Sequence, residues 1–234
     1  MTASSHDQGV GKPIQPPFSR PVRSYVLRQG RFTPAQKRAL REFWPNYGLE
    51  VEKGLIDPEK VFARKAKLVM EIGFGMGDSL FTMLQEQPDS DFIGVEVHSP
   101  GVGHLLHRVA KAAAGNLRIY KADATDVLQR CLPDDSLDRV QIYFPDPWPK
   151  KRHHKRRLID AHFVDLLAPK LKSAGRLHVA TDSSQYADSM RAVIDASDHF
   201  TPLSDDEISR PKTKYEQRAE RSEHRVFDLC YLKH

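Results

Sequence analysis

The chain has 234 residues, 39% of them hydrophobic, and carries 36 lysines and arginines against 31 aspartates and glutamates, a formal net charge of +5. This length and composition suit one α/β domain, or one domain with extensions, large enough to bury a substantial core. No apolar run approaches the roughly 18 residues of a membrane span, and the N-terminal region has no apolar stretch typical of a secretory signal. We therefore expect a cytoplasmic protein with no membrane partner.

The two cysteines, Cys131 and Cys230, are far apart in the sequence. No group of cysteines and histidines has the spacing of a zinc site, so we expect no metal. We expect both thiols to be structural and reduced, as is usual in the cytosol.

The N-terminal 30 residues are rich in proline, serine, glycine and basic side chains. This composition predicts a flexible basic arm over residues 1–30, followed by a single domain over residues 31–234. The arm is either a solvated tail or a segment that touches a substrate. Thr33 and Pro34 predict the start of a helix, because threonine is a good N-cap and proline fits the first helical position.

From residue 67 onward, predicted strands and helices alternate along the chain. This alternation implies an α/β fold, in which a parallel sheet is covered by helices on both faces. The predicted strands cover residues 67–72, 91–95, 117–120, 137–144, 176–180 and 225–232. The predicted helices cover residues 79–85, 102–114, 124–131, 158–171 and 182–196.

A glycine-rich turn, Glu-Ile-Gly-Phe-Gly-Met-Gly over residues 71–77, directly follows the strand predicted over 67–72. Glycines allow a sharp turn and let a ligand approach the backbone. The spacing differs from the Gly-x-Gly-x-x-Gly of dinucleotide sites, where a pyrophosphate sits on a helix N-terminus. The carboxylate of Glu71, just before Gly73 and Gly75, suits a cofactor that carries an amine and a sulfonium. The turn therefore favours S-adenosylmethionine over NAD, with a purely structural turn as the alternative.

Two further acids follow later strands. Glu96 ends the strand 91–95, where a carboxylate can accept hydrogen bonds from both ribose hydroxyls of an adenosine. Asp123 follows the strand 117–120, where it can accept from an adenine amino group. Either acid alone could equally be a helix N-cap or a solvated loop residue. Three acids at the carboxyl edge of one sheet, counting Glu71, favour a cofactor site.

The strand 137–144 leads into Phe-Pro-Asp-Pro-Trp over residues 144–148. The group to be methylated should meet the cofactor here. The prolines on either side of Asp146 restrict its backbone, so its carboxylate should have a fixed direction. We interpret Phe144 as a core residue and Trp148 as a candidate for stacking on a base.

A basic run, Lys-Lys-Arg-His-His-Lys-Arg-Arg over residues 150–157, follows at once and contains no acid. Such a run is usually a solvated face, but this one adjoins the carboxylate turn. Phosphates would be favourable partners, because their binding releases counterions. The pattern predicts a nucleic-acid substrate. The adjacent histidines could indicate a metal, but no partner ligands support one.

These residues together resemble the bacterial tRNA (guanine-N7-)-methyltransferase family. The resemblance covers nearly all of the chain beyond the arm, and Phe-Pro-Asp-Pro-Trp followed by His-Lys-Arg-Arg is its most specific part. It implies a class I methyltransferase fold, with a seven-stranded Rossmann-like sheet that ends in an antiparallel strand. It also implies S-adenosylmethionine as the cofactor and N7 of guanosine 46, in the variable loop of tRNA, as the target.

The same resemblance implies roles for individual residues. The cofactor-site acids are Glu71, Glu96, Asp123 and Asp146, of which Asp146 is also catalytic. The substrate-binding positions are Lys150, Asp182, Thr213, Lys214, Tyr215 and Glu216. The RNA-contacting stretch is Arg152, His153, His154, Lys155, Arg156 and Arg157. Pro149, Tyr215 and Ala219 depart from the family pattern, and Ala219 bears on the backbone shape of the substrate segment.

Three rival functions are a methyltransferase of another substrate, a non-catalytic RNA-binding protein with a degenerate pocket, and an NAD-dependent oxidoreductase. The basic run argues against a small-molecule substrate. The intact glycines and acids argue against a degenerate pocket, and the glycine spacing argues against NAD. Both a monomer and a homodimer are compatible with the sequence.

Overall fold

The computed structural model describes residues 23–25, 30, 32–204, 210, 216 and 225–234. Most of the predicted arm therefore lies outside the described residues. So do Thr213, Lys214 and Tyr215 of the predicted substrate segment, and Ala219. The division into an arm and a domain stays a prediction.

The described residues form one eight-stranded sheet in the order β1-β4-β3-β2-β5-β6-β8-β7. Neighbouring strands from β1 to β6 are parallel, whereas β8 runs antiparallel to both β6 and β7. This confirms the α/β fold with an antiparallel terminal strand, and β1 adds a two-residue strand to the seven expected. The strands are β1 Gly48–Leu49, β2 Lys67–Ile72, β3 Ser90–Val95, β4 Leu117–Tyr120, β5 Leu137–Tyr143, β6 Leu171–Thr181, β7 Phe200–Pro202 and β8 Phe227–Lys233.

Seven α-helices are present in the described ranges. The helix predicted at Thr33 is confirmed: the Thr33 hydroxyl accepts from the Gln36 backbone N–H, and the Gln36 side chain accepts from the Thr33 backbone N–H. None of these helices combines the length and the apolar character that a membrane crossing requires. The helices are α1 Pro34–Tyr47, α2 Pro58–Phe62, α3 Asp78–Glu86, α4 Ser99–Lys111, α5 Ala124–Arg130, α6 Ala161–Leu167 and α7 Ser184–Asp195.

The core consists of two buried clusters on opposite faces of the sheet. One contains Met70 of β2 with side chains from α5, α6 and α7, and the other contains Val69 of β2 with side chains from α1, α3 and α4. Because successive strand residues face opposite sides, Glu71 lies on the same face as Val69. The carboxyl ends of the parallel strands meet at one edge of the sheet, where the predicted acids lie.

Three predicted elements have boundaries that differ from the structure by three or more residues. One is the helix predicted over 102–114, which is α4 Ser99–Lys111. The helix predicted over 158–171 is α6, which begins after its N-cap Asp160 and ends at Leu167. Pro169 lacks a backbone N–H and so cannot continue the hydrogen bonds of the helix. The strand β6 begins at residue 171 and not 176, because it continues through Ala174 and an irregular register opposite β5. A polar stretch containing Gly175 gave no strand signal.

Candidate active site

A cavity of about 600 Å³ opens at the carboxyl edge of the sheet. The glycine turn after β2, the ends of β3 and β5, and the start of α5 line it, together with Ser24 and Tyr25. Five of the residues predicted from the sequence lie in its wall: Glu71, Gly73, Gly75, Glu96 and Asp146.

The glycine turn exposes its backbone to this cavity. Gly73 and Gly75 have φ angles of 75° and 58°, which side-chain-bearing residues rarely adopt. A Cβ atom built on either glycine would have none of the described residues within 4 Å. A ligand can therefore approach the main chain closely at both positions.

Helix α4 packs directly against the back of this turn at Gly101. A methyl group there would overlap the carbonyl oxygen of Gly75. We expect Gly101→Ala to shift the turn, to destabilise the fold by about 1–3 kcal/mol through overpacking, and to weaken S-adenosylmethionine binding. Thermal melting and calorimetric titration would measure both effects.

Gly115→Ala is the matched control, because a Cβ at Gly115 would meet no atom of the part of the chain that the structure describes within 4 Å. Because Gly101 lies in helix α4, its replacement by alanine also gains about 1 kcal/mol of helix propensity. This gain reduces the net loss of stability expected for Gly101→Ala. A Gly101→Ala protein that is as stable as the wild type and binds the cofactor equally well would contradict the close packing.

Glu96 holds the turn as well as lining the cavity. Its Oε2 accepts from the Gly75 N–H at 2.8 Å, and its Oε1 accepts from the N–H groups of Val97 and His98 at 2.7 and 2.9 Å. Burial raises the pKa of Glu96, and these hydrogen bonds oppose the rise. A carboxylate has about four acceptor positions, so it keeps capacity for a ligand hydroxyl. The ribose contact stays a prediction.

Glu71 is a buried carboxylate in the cavity wall, with 3% of its surface exposed. The Gln141 amide donates to its Oε2 at 2.7 Å. Burial raises the pKa of Glu71 to about 7, although this hydrogen bond and the charge of Arg139 oppose the rise. A cationic ligand group beside it would favour the ionised form. The buried acids and the open glycine backbone thus fit a cofactor that carries an amine, a sulfonium and a ribose.

Asp123 caps helix α5. Its Oδ1 accepts from the backbone N–H and the hydroxyl of Thr125 at 2.9 and 2.7 Å. Its neighbours Ala122 and Ala124 line the cavity. The structure thus gives Asp123 the helix-cap role that its sequence position allowed, and its contact with an adenine stays a prediction.

Asp146 is exposed on a turn that leaves the end of β5. The residues at the two ends of this turn, Phe144 and Trp148, have φ angles of 52° and 47°, in the left-handed region. Each such residue costs about 1–3 kcal/mol and persists only where the surroundings enforce it, which is frequent at active sites. Asp146 is thus held at the cavity mouth by a strained turn.

Arg157 holds this turn by a hydrogen bond to its backbone. Although it belongs to the predicted RNA-contacting stretch, it is buried. Its Nε donates to the Pro147 carbonyl at 3.0 Å, its Nη2 donates to Gln185 at 3.2 Å, and its guanidinium stacks on Tyr186. These contacts give Arg157 a structural role, because a guanidinium enclosed by the protein is withdrawn from phosphates.

Arg156 binds two residues near the N-terminus, of which Tyr25 lines the cavity. It donates to the carbonyls of Arg23 and Tyr25 at 3.2 and 3.1 Å, and it stacks on Trp148 with its guanidinium carbon 4.0 Å from the ring centre. Trp148 itself donates to the Ser24 carbonyl at 3.1 Å. Trp148 therefore packs against protein here. That Ser24 and Tyr25 reach the cavity was not predicted from the sequence.

The remaining basic residues directly follow the Asp146 turn in the chain. The stretch Lys151–Arg156 forms a 3-10 helix, which a charge run without apolar periodicity did not reveal. Among the predicted RNA contacts, Arg152 and Lys155 are exposed, while His153 and His154 are half-buried. Lys150 and Lys151 are exposed, and so is Asp182, which directly follows β6. Lys150 and Asp182 lie outside the residues that line the cavity, so they can meet only a ligand that extends beyond it.

Comparisons with known proteins place the chain in a family. A family model described as "Putative methyltransferase" matches residues 65–229. A tRNA (guanine-N(7)-)-methyltransferase of Nitrosococcus oceani is 48% identical over 223 residues, which cover 94% of this chain and 93% of the relative. One of Marinobacter nauticus is 50% identical over 92% of each chain.

Solved structures support the fold alone. The aminoglycoside resistance methyltransferase NpmB1 matches 80% of this chain and 94% of its own with a TM-score of 0.53 at 15% identity. The 16S rRNA methyltransferase KamB matches 75% of this chain and 91% of its own with the same TM-score and identity. The chain therefore belongs to the tRNA (guanine-N(7)-)-methyltransferase family, a group of S-adenosylmethionine-dependent enzymes with the class I methyltransferase fold.

Proposed function

We propose that this protein transfers a methyl group from S-adenosylmethionine to N7 of guanosine 46 in the variable loop of tRNA. One observation carries the proposal: Asp146 lies on a strained turn in the wall of the cavity that also contains Glu71 and Glu96. Exposed cations adjoin that turn. The names of the relatives supply the target atom and the class of RNA. A tRNA substrate is consistent with a cytoplasmic location.

Different residues of the site would bind different groups of the cofactor. Glu71 would pair with the cationic amine and Glu96 would accept from a ribose hydroxyl. Asp123, between the cavity residues Ala122 and Ala124, would accept from an adenine amino group. The backbone of Gly73 and Gly75 leaves room for close approach. When bound, S-adenosylmethionine supplies an electrophilic methyl group on a sulfonium.

The chain's contribution to the chemistry is orientation. Guanine N7 has an in-plane lone pair that is unprotonated at neutral pH, so its attack on the methyl carbon needs no general base. With the cofactor bound, the new N–C bond would form as the C–S bond breaks, and the sulfur would keep that electron pair. Asp146 and Asp182 can accept from the ring N–H and the amino group of guanine, which turns N7 toward the methyl group. Such positioning accounts for most of the catalysis in reactions of this kind.

The target must also be reachable. In an A-form RNA helix the deep major groove hides N7, so the guanosine must lie in a loop or be turned out of its stack. The exposed side chains of Lys150, Lys151, Arg152 and Lys155 beside the turn would bind the phosphates of the surrounding RNA.

Labelled S-adenosylmethionine and unmodified tRNA test this function directly. We expect label in 7-methylguanosine, and mapping of the nucleosides should place it at position 46. A tRNA with adenosine at position 46 is the control and should take up no label. Label in another nucleoside, or 7-methylguanosine at another position, would contradict the proposal.

The RNA-binding role of the patch predicts a specific salt effect. We expect the triple substitution Lys151→Ala, Arg152→Ala and Lys155→Ala to weaken tRNA binding. The slope of log affinity against log salt should fall by about one unit for each phosphate that the variant no longer binds. Cofactor affinity should be unchanged. Arg156 and Arg157 are left intact because the structure uses both inside the protein.

Binding titrations over a range of salt concentrations measure that slope. Lys111→Ala is a matched control, since this lysine is exposed at the end of α4 away from the cavity. If the triple variant keeps the wild-type slope, the RNA binds a different surface.

A further inference from the structure

Arg210 is a buried cation that joins two carboxylates, with 5% of its side chain exposed. Its Nε and Nη2 donate to the two carboxylate oxygens of Asp228 on β8, at 2.7 and 2.9 Å. Its Nη1 and Nη2 donate to the two carboxylate oxygens of Glu216, at 2.5 and 3.3 Å. One guanidinium therefore connects the sheet to a residue of the predicted substrate segment.

The same guanidinium packs against the aromatic rings at the start of the turn that carries Asp146. Its central carbon is 5.1 Å from the ring centre of Tyr143 and 5.8 Å from that of Phe144. Phe144 is the left-handed residue at which the turn begins. Arg210 thus contacts both the start of the turn that carries Asp146 and Glu216 of the predicted substrate segment.

Asp228, which binds Arg210, is itself held by a neighbouring strand. Asp228 accepts from the Nε2 of His178 on β6 at 2.8 Å. Burial acts to raise the pKa of Asp228, but the hydrogen bonds from His178 and Arg210 outweigh it and lower the pKa to about 2. Asp228 is therefore a carboxylate at neutral pH, and it holds Arg210 with both oxygens.

This buried arrangement continues to the cofactor cavity. The Tyr143 hydroxyl lies 3.2 Å from the Nδ1 of His178 and donates to the Gln141 amide oxygen at 3.3 Å. The Gln141 amide nitrogen in turn donates to Glu71. Side chains of β5, β6 and β8 thus tie Arg210 to the wall that receives the cofactor.

An arginine suits this place for a geometric reason. Its planar fork can pair with two carboxylates at fixed angles, whereas a lysine ammonium is a point charge with no fixed direction. A salt bridge of this kind is weak as a source of stability, because the desolvation of the charges offsets their attraction. Its value lies in holding Glu216 at one place.

We propose that Arg210 is a positioning residue for the methyl transfer: with Asp228 as its support, it fixes Glu216 against the turn that carries Asp146. The inference rests on the proposed function in one respect, the contact of Glu216 with the substrate. Arg210 does not touch the reacting atoms. It acts through the placement of Glu216 relative to the turn that carries Asp146.

Arg210→Lys tests this role, since it keeps the charge and removes the fork. We expect the single-turnover rate of methylation, at saturating tRNA and cofactor, to fall by about 10- to 100-fold, the scale of a slightly misplaced substrate. The affinity for S-adenosylmethionine should be unchanged. A variant that alters only the tRNA concentration needed for half-saturation, with the wild-type rate at saturation, would overturn the proposal.

Tyr231→Phe separates positioning from stability. It removes a hydrogen bond from Tyr231 of β8 to Asp195, at 2.9 Å, on the same strand as Asp228. We expect it to lower the melting temperature and to leave the single-turnover rate per folded molecule unchanged. If Arg210→Lys behaves in the same way, its role is structural and the proposal fails.

A double-mutant cycle tests the partner. In the Glu216→Gln background, Arg210→Lys should slow methylation far less than it does in the wild type, because both changes break the same pairing. Rate losses that multiply would show independent action and overturn the proposal.

Amide exchange at Glu216 gives a readout that needs no tRNA. We expect faster exchange in Arg210→Lys than in the wild type or in Tyr231→Phe, and equal rates would contradict the pairing. A wild-type protein that forms no 7-methylguanosine would instead contradict the proposed function, so the two failures are distinguishable.

Discussion

Asp146→Asn should lower the rate of tRNA methylation at saturation by about 100- to 1000-fold, the effect of removing one well-placed polar group from an active site. Asparagine keeps the size of the side chain but loses its charge and half of its acceptor capacity. Its amide N–H groups would face the N–H groups of guanine. The prolines on either side should keep the turn intact, so we expect a nearly unchanged melting temperature.

Single-turnover kinetics on purified protein measure this loss. Asp188→Asn on α7 is the matched control, because Asp188 is an exposed aspartate that pairs with Arg191 on the same helix. We expect it to methylate tRNA at the wild-type rate. An Asp146→Asn protein that is also as fast as the wild type would exclude Asp146 from orienting the guanine.

The pH dependence of the rate distinguishes orientation from proton removal. Because N7 needs no base, we expect no limb near neutrality attributable to Asp146 when both substrates saturate. A limb near pH 7 in the wild type that disappears in Asp146→Asn would favour general-base chemistry. It would also argue against N7 as the target atom.

Glu71→Gln should weaken S-adenosylmethionine binding by about 100-fold or more, because it removes the charge opposite the cofactor amine in a buried site. The uncharged amide can still accept the hydrogen bond from Gln141. Glu86→Gln is a matched control on the exposed surface of α3 and should bind the cofactor as the wild type does. Calorimetric titration of both variants measures the difference.

The raised pKa of Glu71 predicts how the affinity for S-adenosylmethionine depends on pH. Since the amine requires the ionised carboxylate, wild-type affinity should rise with pH up to about pH 7, where burial places the pKa of Glu71. We expect Glu71→Gln to lack this dependence. A wild-type affinity that stays constant between pH 5.5 and 7 would argue against the pairing of Glu71 with the amine.

Without the cofactor, the free energy of unfolding should change with pH in the opposite direction to the cofactor affinity: it should fall as the pH rises. The folded protein holds the Glu71 proton more tightly than the unfolded chain, since the pKa is about 7 in the fold against the ordinary 4.5. This group therefore costs stability as pH rises from 4.5 to 7, by about 3 kcal/mol at roughly 1.4 kcal/mol per pH unit. Glu71→Gln should accordingly melt at a higher temperature than the wild type at pH 8. A lower melting temperature would contradict this sign.

The sequence by itself determined the elements whose signals are local. The strand Lys67–Ile72 and its glycine turn, the cap at Thr33 and the alternation of strands and helices between residues 67 and 196 were all predicted from neighbouring residues, and the structure confirms them. The convergence of Glu71, Glu96 and Asp146 on one cavity was also predictable. Parallel strands bring their carboxyl ends to a common edge, so acids that follow such strands must come together.

Only the tertiary structure decided the role of each charge. Arg156 and Arg157 belong to one basic run in the sequence, yet one holds residues near the N-terminus and the other supports the Asp146 turn. The pairing of Arg210 with Asp228 had no sequence signal either. A side chain's partner depends on which strands become neighbours and on what the fold buries. Spacing along the chain does not contain that information when the partners lie on different elements of the sheet.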